Sequence, residues 1–298
     1  MDFKNFKDIP VSTKTYTAHT NLNINIDKLF EALPVTPYVV IPKKRGRKKK
    51  CDTPDPNIDI REGSIVTIKY EKEIRGVELK PKKVKQGKKT KWFRNSVTIV
   101  IILDKPINFK VCHNGTFQMT GCKKHEHAEL CIKYIWKYIK DNTELYEIKR
   151  GENFEVMFIP SMRNIDFSLN FNVDREKLNN YMWSQEDFHC LLETSFGYTG
   201  VIIKFPLQKC ISEMKIIKLS NIDNEWIYEN TLYDKYLDLL SSEEKQNKLK
   251  AERQISFLVF HSGKVIMSGL TAEFMEDIYY LFTDIIKKAY PQIVEKLE

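Results

Sequence analysis

The sequence predicts an α+β fold in which one unit of about half the chain occurs twice, as an antiparallel sheet with helices on one face. Residues 111–121 read VCHNGTFQMTG and residues 259–269 read VFHSGKVIMSG, a displacement of 148 positions. LNINID at 22–27 and LNFNVD at 169–174 match at a displacement of 147. Two matches at nearly one displacement, separated by unlike sequence, indicate a duplication. We expect repeats at 11–142 and 153–298.

Each repeat is predicted to begin with a strand and a short capped helix. Polar and apolar residues alternate enough at 13–26 to predict a strand. Asp27 is the expected N-cap of a helix that ends before Pro34. Asp174 should cap the matching helix of the second repeat. Further strands are predicted at 64–70 and 97–103, and 200–205 is taken as the counterpart of 64–70.

The repeated motif itself predicts a hairpin followed by a helix. Asn114-Gly115 and Ser262-Gly263 are two-residue turn signals between strands. Apolar residues at helical spacing follow at 128–139 and at 274–286. The helices should therefore cover one face of the sheet.

The opposite face should be free of helices, because neighbouring residues on a strand point to opposite sides. That open face is expected to carry two matching sets of side chains: Leu258, Phe260, Ser262, Lys264, Ile266 and Ser268 in the second copy, and Cys112, Asn114, Thr116, Gln118 and Thr120 in the first. A broad, self-similar surface of this kind suits duplex DNA, which has its own pseudo-dyad. Asn114 and Ser262 also have a plain interpretation as turn residues.

Positive charge is concentrated in one insertion, at about 34–96. Residues 43–91 contain 18 Lys/Arg against 7 Asp/Glu, whereas the whole chain has a net charge of +8. The densest cations are Lys43, Lys44, Arg45, Arg47, Lys48, Lys49, Lys50, Lys82, Lys83, Lys85, Lys88 and Lys89. Such runs suit a phosphate backbone or an import receptor, and the alternative is a solubilising role. A second insertion, at about 210–253, should contain a charged helix that lies outside the shared core.

Other classes of protein receive little support. The chain contains no apolar run long enough to span a bilayer, and its first residues lack a signal-peptide core, so we expect an intracellular protein without a membrane partner. Motifs typical of enzymes are absent, and we expect neither catalysis nor a cofactor. Cys122, His125, His127 and Cys131 match no established zinc spacing, so surface histidines and core thiols are favoured over a metal site.

The twofold pattern of strand, SGK, strand, TG and helix resembles the TATA-box-binding protein family, with HSGKVIMSG as the nearest segment. The large basic insertion resembles the divergent members found in large DNA viruses. The resemblance implies a pseudo-twofold saddle, a curved antiparallel sheet with helices on its convex face and DNA against its concave face.

The resemblance also implies roles for individual residues. Phe260 falls at one of the family's DNA-wedging phenylalanines and Tyr198 approximately at another, while Cys112 replaces a phenylalanine in the first repeat. Lys69 and Lys204 fall at phosphate-contacting positions, although a solvated strand lysine is as reasonable an interpretation. The family's base-reading asparagine aligns with Thr13 and Met162, which puts TATA-specific kinking in question.

The expected function is that of a monomeric transcription initiation factor that binds double-stranded DNA and recruits a IIB-type initiation factor and RNA polymerase. One alternative is an interaction scaffold that keeps the saddle and has lost TATA-specific binding. Another is a substrate-gripping module like those in nucleases, which the lack of a catalytic domain disfavours. The expected location is the nucleus or a cytoplasmic viral factory, with packaging in the virion as a further option.

Overall fold

Fifteen strands and six helices are present in the computed structural model, which describes residues 2–40, 56–79, 94–184, 189–193 and 200–295. The strands are β1 (Val11–Thr20), β2 (Leu22–Ile24), β3 (Ile65–Tyr70), β4 (Glu73–Gly76), β5 (Ser96–Ile102), β6 (Pro106–Cys112), β7 (Thr116–Cys122), β8 (Tyr146–Ile148), β9 (Phe154–Ser168), β10 (His189–Glu193), β11 (Gly200–Pro206), β12 (Lys215–Ile222), β13 (Glu225–Leu232), β14 (Gln254–Phe260) and β15 (Lys264–Gly269). The helices are α1 (Ile26–Ala32), α2 (Glu126–Ile139), α3 (Arg175–Trp183), α4 (Tyr233–Leu237), α5 (Ser242–Lys250) and α6 (Ala272–Ile293). Within the described ranges, no helix has both the length and the hydropathy needed to cross a bilayer.

The chain divides into two compact units. The first-repeat unit consists of Tyr16–Phe158 together with Lys218–Glu229, and the second-repeat unit consists of Met1–Thr15, Ile159–Ile217 and Asn230–Glu298. The hairpin of β12 and β13 therefore belongs to the second repeat in sequence, but it packs largely within the first-repeat unit.

The first-repeat unit is an antiparallel sheet covered by α2. Its strands follow the order β4, β3, β5, β6, β7, with register shown by the pairs Thr98–Lys110 and Lys110–Gln118. Alternate residues such as Phe109 and Met119 are buried in one cluster with Cys131 and Ile135 of α2. Burial of this apolar face, at roughly 25 cal/mol per Å², holds the helix to the sheet.

The second-repeat unit has the same plan. Its strands follow the order β10, β11, β14, β15, β9, all antiparallel. Phe257 of β14 stacks on Phe282 of α6, with ring centroids 4.0 Å apart, and Phe205 of β11 meets both rings edge-on. The predicted α+β class, with antiparallel strands and helices on one face, is confirmed.

Matching backbone contacts confirm the duplication. The Ile24 amide donates to the His113 carbonyl at 2.8 Å, and the Val173 amide donates to the His261 carbonyl at 2.8 Å. These pairs are displaced by 149 and 148 positions. The displacement of 147 predicted from LNINID and LNFNVD is therefore wrong by two residues. Equivalent backbone hydrogen bonds define the repeat, and residue similarity placed the match two positions away from them.

The helix caps show the same shift. Asn25, not Asp27, is the N-cap of α1, since its side chain accepts from the Lys28 amide at 3.1 Å. Asp174 caps α3 as predicted and accepts from the Lys177 amide at 3.1 Å. Asn25 and Asp174 are 149 positions apart, in agreement with the backbone contacts.

The predicted pairing of 64–70 with 200–205 as counterparts is also wrong. Strand β11 lies next to the repeated hairpin, with Gly200 opposite Phe260, and β5 lies next to the other hairpin, with Ser96 opposite Cys112. The counterpart of β11 is therefore β5, and the counterpart of β3 is β10. Lys69 and Lys204 consequently occupy unrelated positions in the two repeats.

The second insertion forms two short helices, α4 and α5, where one charged helical stretch was predicted. Tyr233, Tyr236 and Leu237 of α4 are buried, so this helix contributes to the packing of its unit. Helix α5 begins with a capping box between Ser241 and Glu244 and buries no residue. The predicted placement outside the core is therefore correct only for α5.

Candidate nucleic-acid interface

The open face of the second-repeat unit carries two rows of side chains across four strands. The alternation expected from sequence is confirmed: Ile255, Phe257, Val259, Val265 and Met267 are buried against the helix side. Register places the rows Ile202–Leu258–Ile266–Asp166 and Lys204–Ser256–Ser268–Asn164 on the opposite side. The first row is mostly aliphatic and partly exposed, and the second row is polar.

Phe260 lies two residues beyond Leu258 on β14, in the row next to the aliphatic one. It is partly exposed and pairs with Gly200 across the sheet. A Cβ atom added to Gly200 would come within 2.6 Å of Leu258 Cδ1. The glycine thus leaves room for Leu258, and Leu258 and Phe260 are both partly exposed on this face.

The open face of the first-repeat unit is more polar. Register places Lys69, Thr98, Lys110 and Gln118 in one row, and Asn108 and Thr120 with the buried Val100 in the next. Positions held by Leu258, Ile266 and Phe260 in the second repeat are held here by Lys110, Gln118 and Cys112. Burial raises the pKa of the Cys112 thiol, and nearby Lys110 lowers it by less, so Cys112 is a neutral side chain at pH 7.

The structure places several predicted residues in settings with partners of their own. Lys69 forms an ion pair with Glu78, which would compete with a phosphate for the ammonium group. Thr116 is only 8% exposed and lies 3.3 Å from His19 Nδ1. The Asn114 side chain accepts from the Thr116 amide at 3.1 Å, so Asn114 is a turn residue as well as an exposed one.

The other predicted residues of this surface divide into exposed and undescribed ones. Lys204, Ser262, Lys264, Gln118 and Thr120 are exposed, and Ser268 is partly exposed. Tyr198 and the twelve cations of the basic runs lie outside the described residues.

Asn164 is a candidate that the sequence reasoning missed. It lies in β9 on the open face, opposite Ser268 of β15. Its side-chain oxygen is buried and has no hydrogen-bond partner among the described residues, while its backbone carbonyl accepts from Ser12 Oγ at 3.1 Å. The alignment selected Met162, two residues earlier on the same face. The neighbouring Ile165 is buried, so residue 164 points to the open side.

The two cysteines and two histidines of residues 122–131 have separate environments. The histidines were expected at the surface, but His127 is buried and His125 is half-buried. His127 Nε2 lies 3.1 Å from Asp104, and His125 Nε2 lies 3.2 Å from Glu129. Cys122 and Cys131 are buried core residues, and burial raises the pKa of Cys131 well above its usual value. Within the described ranges, no group of three or more His, Cys, Asp or Glu side chains is arranged to hold a metal ion.

Comparison with known proteins gives two related sequences from large DNA viruses. The chain is 29% identical over 206 residues to "Uncharacterized protein 335L" of Invertebrate iridescent virus 6, covering 65% of this chain and 60% of that protein. It is 30% identical over 145 residues to a "TATA-box-binding protein-like" protein of Acanthamoeba polyphaga mimivirus, covering 41% of this chain and 38% of that protein. The chain thus spans less than two thirds of either relative.

No model of a known protein family matches the chain. A solved structure of Methanococcus jannaschii TBP aligns over 94% of this chain and 98% of that chain, with 16% identity and a TM-score of 0.43. The predicted resemblance is confirmed by the mimivirus relative. The chain is thus similar to a TATA-box-binding-protein-like protein of one large DNA virus and to an uncharacterized protein of another.

Proposed function

We propose that the chain is a DNA-binding transcription initiation factor that holds duplex DNA against the open sheet faces of its two units. The supporting observation is the surface of the second-repeat unit, where Phe260 and an aliphatic row lie beside hydroxyl and amide side chains. Lys204 and Lys264 are exposed on the same face. This combination of an apolar wedge, short polar groups and lysines matches the chemistry of a minor groove lined by phosphates.

Each group has a physical role in this proposal. Phe260 would insert between two base pairs, and unstacking a step costs a few kcal/mol that added contacts must repay. Leu258 and Ile266 would face the sugars of the groove. The minor-groove edges of A·T pairs present only acceptors, to which the Asn164 amide and the Ser268 hydroxyl can donate. Lys204 and Lys264 would contact phosphates.

The first-repeat face is expected to act differently. Lys110 and Gln118 stand there in place of aliphatic residues, and Cys112 occupies the position that Phe260 has in the second repeat. A lysine and an amide favour contact with phosphates and base edges over insertion between bases. We therefore expect this unit to hold DNA without unstacking it, so that bending is centred on the second repeat. The basic runs would add sequence-independent attraction that weakens with salt.

Recruitment belongs to the same proposal. We expect a IIB-type initiation factor and polymerase subunits to bind the helix-covered side, because the open faces would be occupied by DNA. The runner-up function is a scaffold that recruits these proteins without holding DNA.

The test combines binding and bending measurements. TATA-containing and scrambled duplexes are compared by mobility shift over a salt series, and end-to-end fluorescence transfer reports the bend. Phe260→Ala should reduce the bend and weaken binding by about tenfold, because the contacts that only a bent duplex makes, and that repay the cost of unstacking, are lost. The control is Trp183→Ala, which removes a 69% exposed aromatic at the end of α3 and should leave both measurements unchanged.

Three results would count against the proposal. Unchanged bending in Phe260→Ala would show that Phe260 does not act as a wedge. Equal binding of both duplexes with a steep salt dependence would assign the affinity to the basic runs alone. Absence of binding at low salt would favour the scaffold.

A further inference from the structure

The hairpin of β12 and β13 belongs to the second insertion. It is fastened to α2 by specific contacts. Tyr228 Oη donates to Glu129 Oε2 at 2.8 Å, and Trp136 Nε1 donates to Asn221 Oδ1 at 2.9 Å. Lys133 Nζ lies 5.0 Å from the centre of the Tyr228 ring. The hairpin is therefore held in a defined position.

A second set of contacts fixes the base and the tip of the hairpin. Lys218 pairs with Glu155 at 2.7 Å, and Lys140 donates to Asn224 Oδ1 at 2.7 Å. The turn uses Asp223 and Asn224, both with positive φ, which is the conformation that tight hairpins require. A strand fixed in this way loses little entropy when it pairs with another strand.

The outer edge of the hairpin is β13. Among the described strands it pairs with β12 alone, and six of its eight residues are exposed. Its backbone N–H and C=O groups on the outer edge are thus available for strand addition. Ile227 and Tyr228 are 51% and 54% exposed, which is unusual for large apolar side chains so close together.

The side chains give the edge a definite charge pattern. Trp226 and Tyr228 contact α2 side chains, so Glu225, Ile227 and Glu229 point to the other side. An isoleucine is thereby flanked by two exposed carboxylates. Antiparallel pairing with a second copy, centred on Ile227, would place Glu225 opposite Glu229 twice, and opposed like charges destabilise a strand pair.

We propose that β13 is a docking edge for an extended segment of a partner protein in which an apolar residue is flanked, two residues away on each side, by lysine or arginine. The apolar residue packs on Ile227, and the cations pair with Glu225 and Glu229. The main chain of the segment extends the sheet by antiparallel pairing. The site is acidic and is therefore distinct from the surface proposed for DNA.

The probe is a blocked seven-residue peptide, Thr-Lys-Thr-Val-Thr-Lys-Thr, measured by fluorescence anisotropy with the full chain. A peptide with glutamate in place of lysine should bind about tenfold more weakly, because two opposite-charge pairs become like-charge pairs. Methylation of alternate backbone nitrogens should abolish binding, and hydrogen exchange should slow at 225–232 when the unmethylated lysine peptide is bound.

A double charge reversal provides the sharper test. Glu225→Lys with Glu229→Lys should invert the preference, so that the glutamate peptide binds better. The control is Glu243→Lys with Glu252→Lys, which makes the same charge change at exposed positions elsewhere in the second insertion and should keep the original preference. Circular dichroism establishes that both variants fold.

Several outcomes would overturn the proposal. Equal binding of the two peptides would show that Glu225 and Glu229 do not select the charge of the segment. Undiminished binding of the methylated peptide would show that the segment does not bind by strand addition. A concentration-dependent dimer in sedimentation, lost in Ile227→Lys, would assign the edge to a second copy of this chain.

Discussion

Replacing Gly115 by alanine should destabilise the first-repeat unit far more than the same replacement at Gly121. Both glycines have left-handed backbones, with φ of +74° and +77°. They differ in their surroundings. A Cβ at Gly115 would lie well inside 3.0 Å of the Leu22 carbonyl oxygen, whereas a Cβ at Gly121 would meet no atom within 4 Å. Gly121→Ala is therefore a control for the backbone conformation alone.

The magnitude follows from the contacts that must yield. A left-handed alanine costs about 1–2 kcal/mol at either position. At Gly115 the segment around Leu22 must also move away, which breaks the bonds from the Thr20 amide to Gly115 and from the Ile24 amide to His113. Each such bond contributes about 0.5–1.5 kcal/mol, so the total for Gly115→Ala is about 2–5 kcal/mol.

The assay is urea unfolding followed by circular dichroism, together with hydrogen exchange of the Ile24 amide. Exchange at this amide should accelerate much more in Gly115→Ala than in Gly121→Ala. Equal destabilisation by the two variants would refute the reasoning, since the close approach to Leu22 would then carry no energy.

Three further predictions concern the open face, a helix cap and the hairpin. Cys112→Phe should increase DNA bending in the fluorescence assay, because it restores an aromatic at the wedge position of the first repeat; a decrease would contradict the proposed role of that position. The hydrogen bond from the Lys177 amide holds the pKa of the Asp174 carboxyl below its usual value. The ionised Asp174 therefore stabilises the fold above about pH 4, and this stabilisation is lost as the pH falls through the lowered pKa. Asp174→Asn, which places there the residue type of Asn25, should keep the cap and lose this acid dependence in unfolding measurements at about pH 2–7. Tyr228→Phe removes the hydrogen bond to Glu129 and should lower the free energy of unfolding by about 1–3 kcal/mol, measured by urea titration against the unaltered chain.

Local patterns were sufficient to predict the hairpins, the long helices and the faces of the strands. Gly115 and Gly263 have the positive φ that the turn signals imply, and Val265 and Met267 are buried under the helix as alternation requires. These features depend on neighbours within a few residues of one another. A periodic sequence therefore contains most of the information that fixes them.

Local sequence could not predict which strands pair with one another. Strands β3, β5 and β11 are all rich in valine and isoleucine, and nothing local distinguishes which of them lies beside a given hairpin. The same holds for Thr116, which lies beside His19, a residue 97 positions earlier in the chain. Residue similarity also misaligned the repeat by two positions, because side chains can drift while backbone hydrogen bonds keep their places.

The sequence by itself determined the duplication, the class of fold and the side of the sheet on which each hairpin residue lies. Only the tertiary structure decided that β5 matches β11, that Asn164 reaches the open face beside Ser268, and that the β12–β13 hairpin packs on α2. The physical reason is that periodicity is written in consecutive residues, whereas strand order and docking arise from pairings between segments far apart in the chain, whose energies are nearly the same for several alternatives until the whole core is packed.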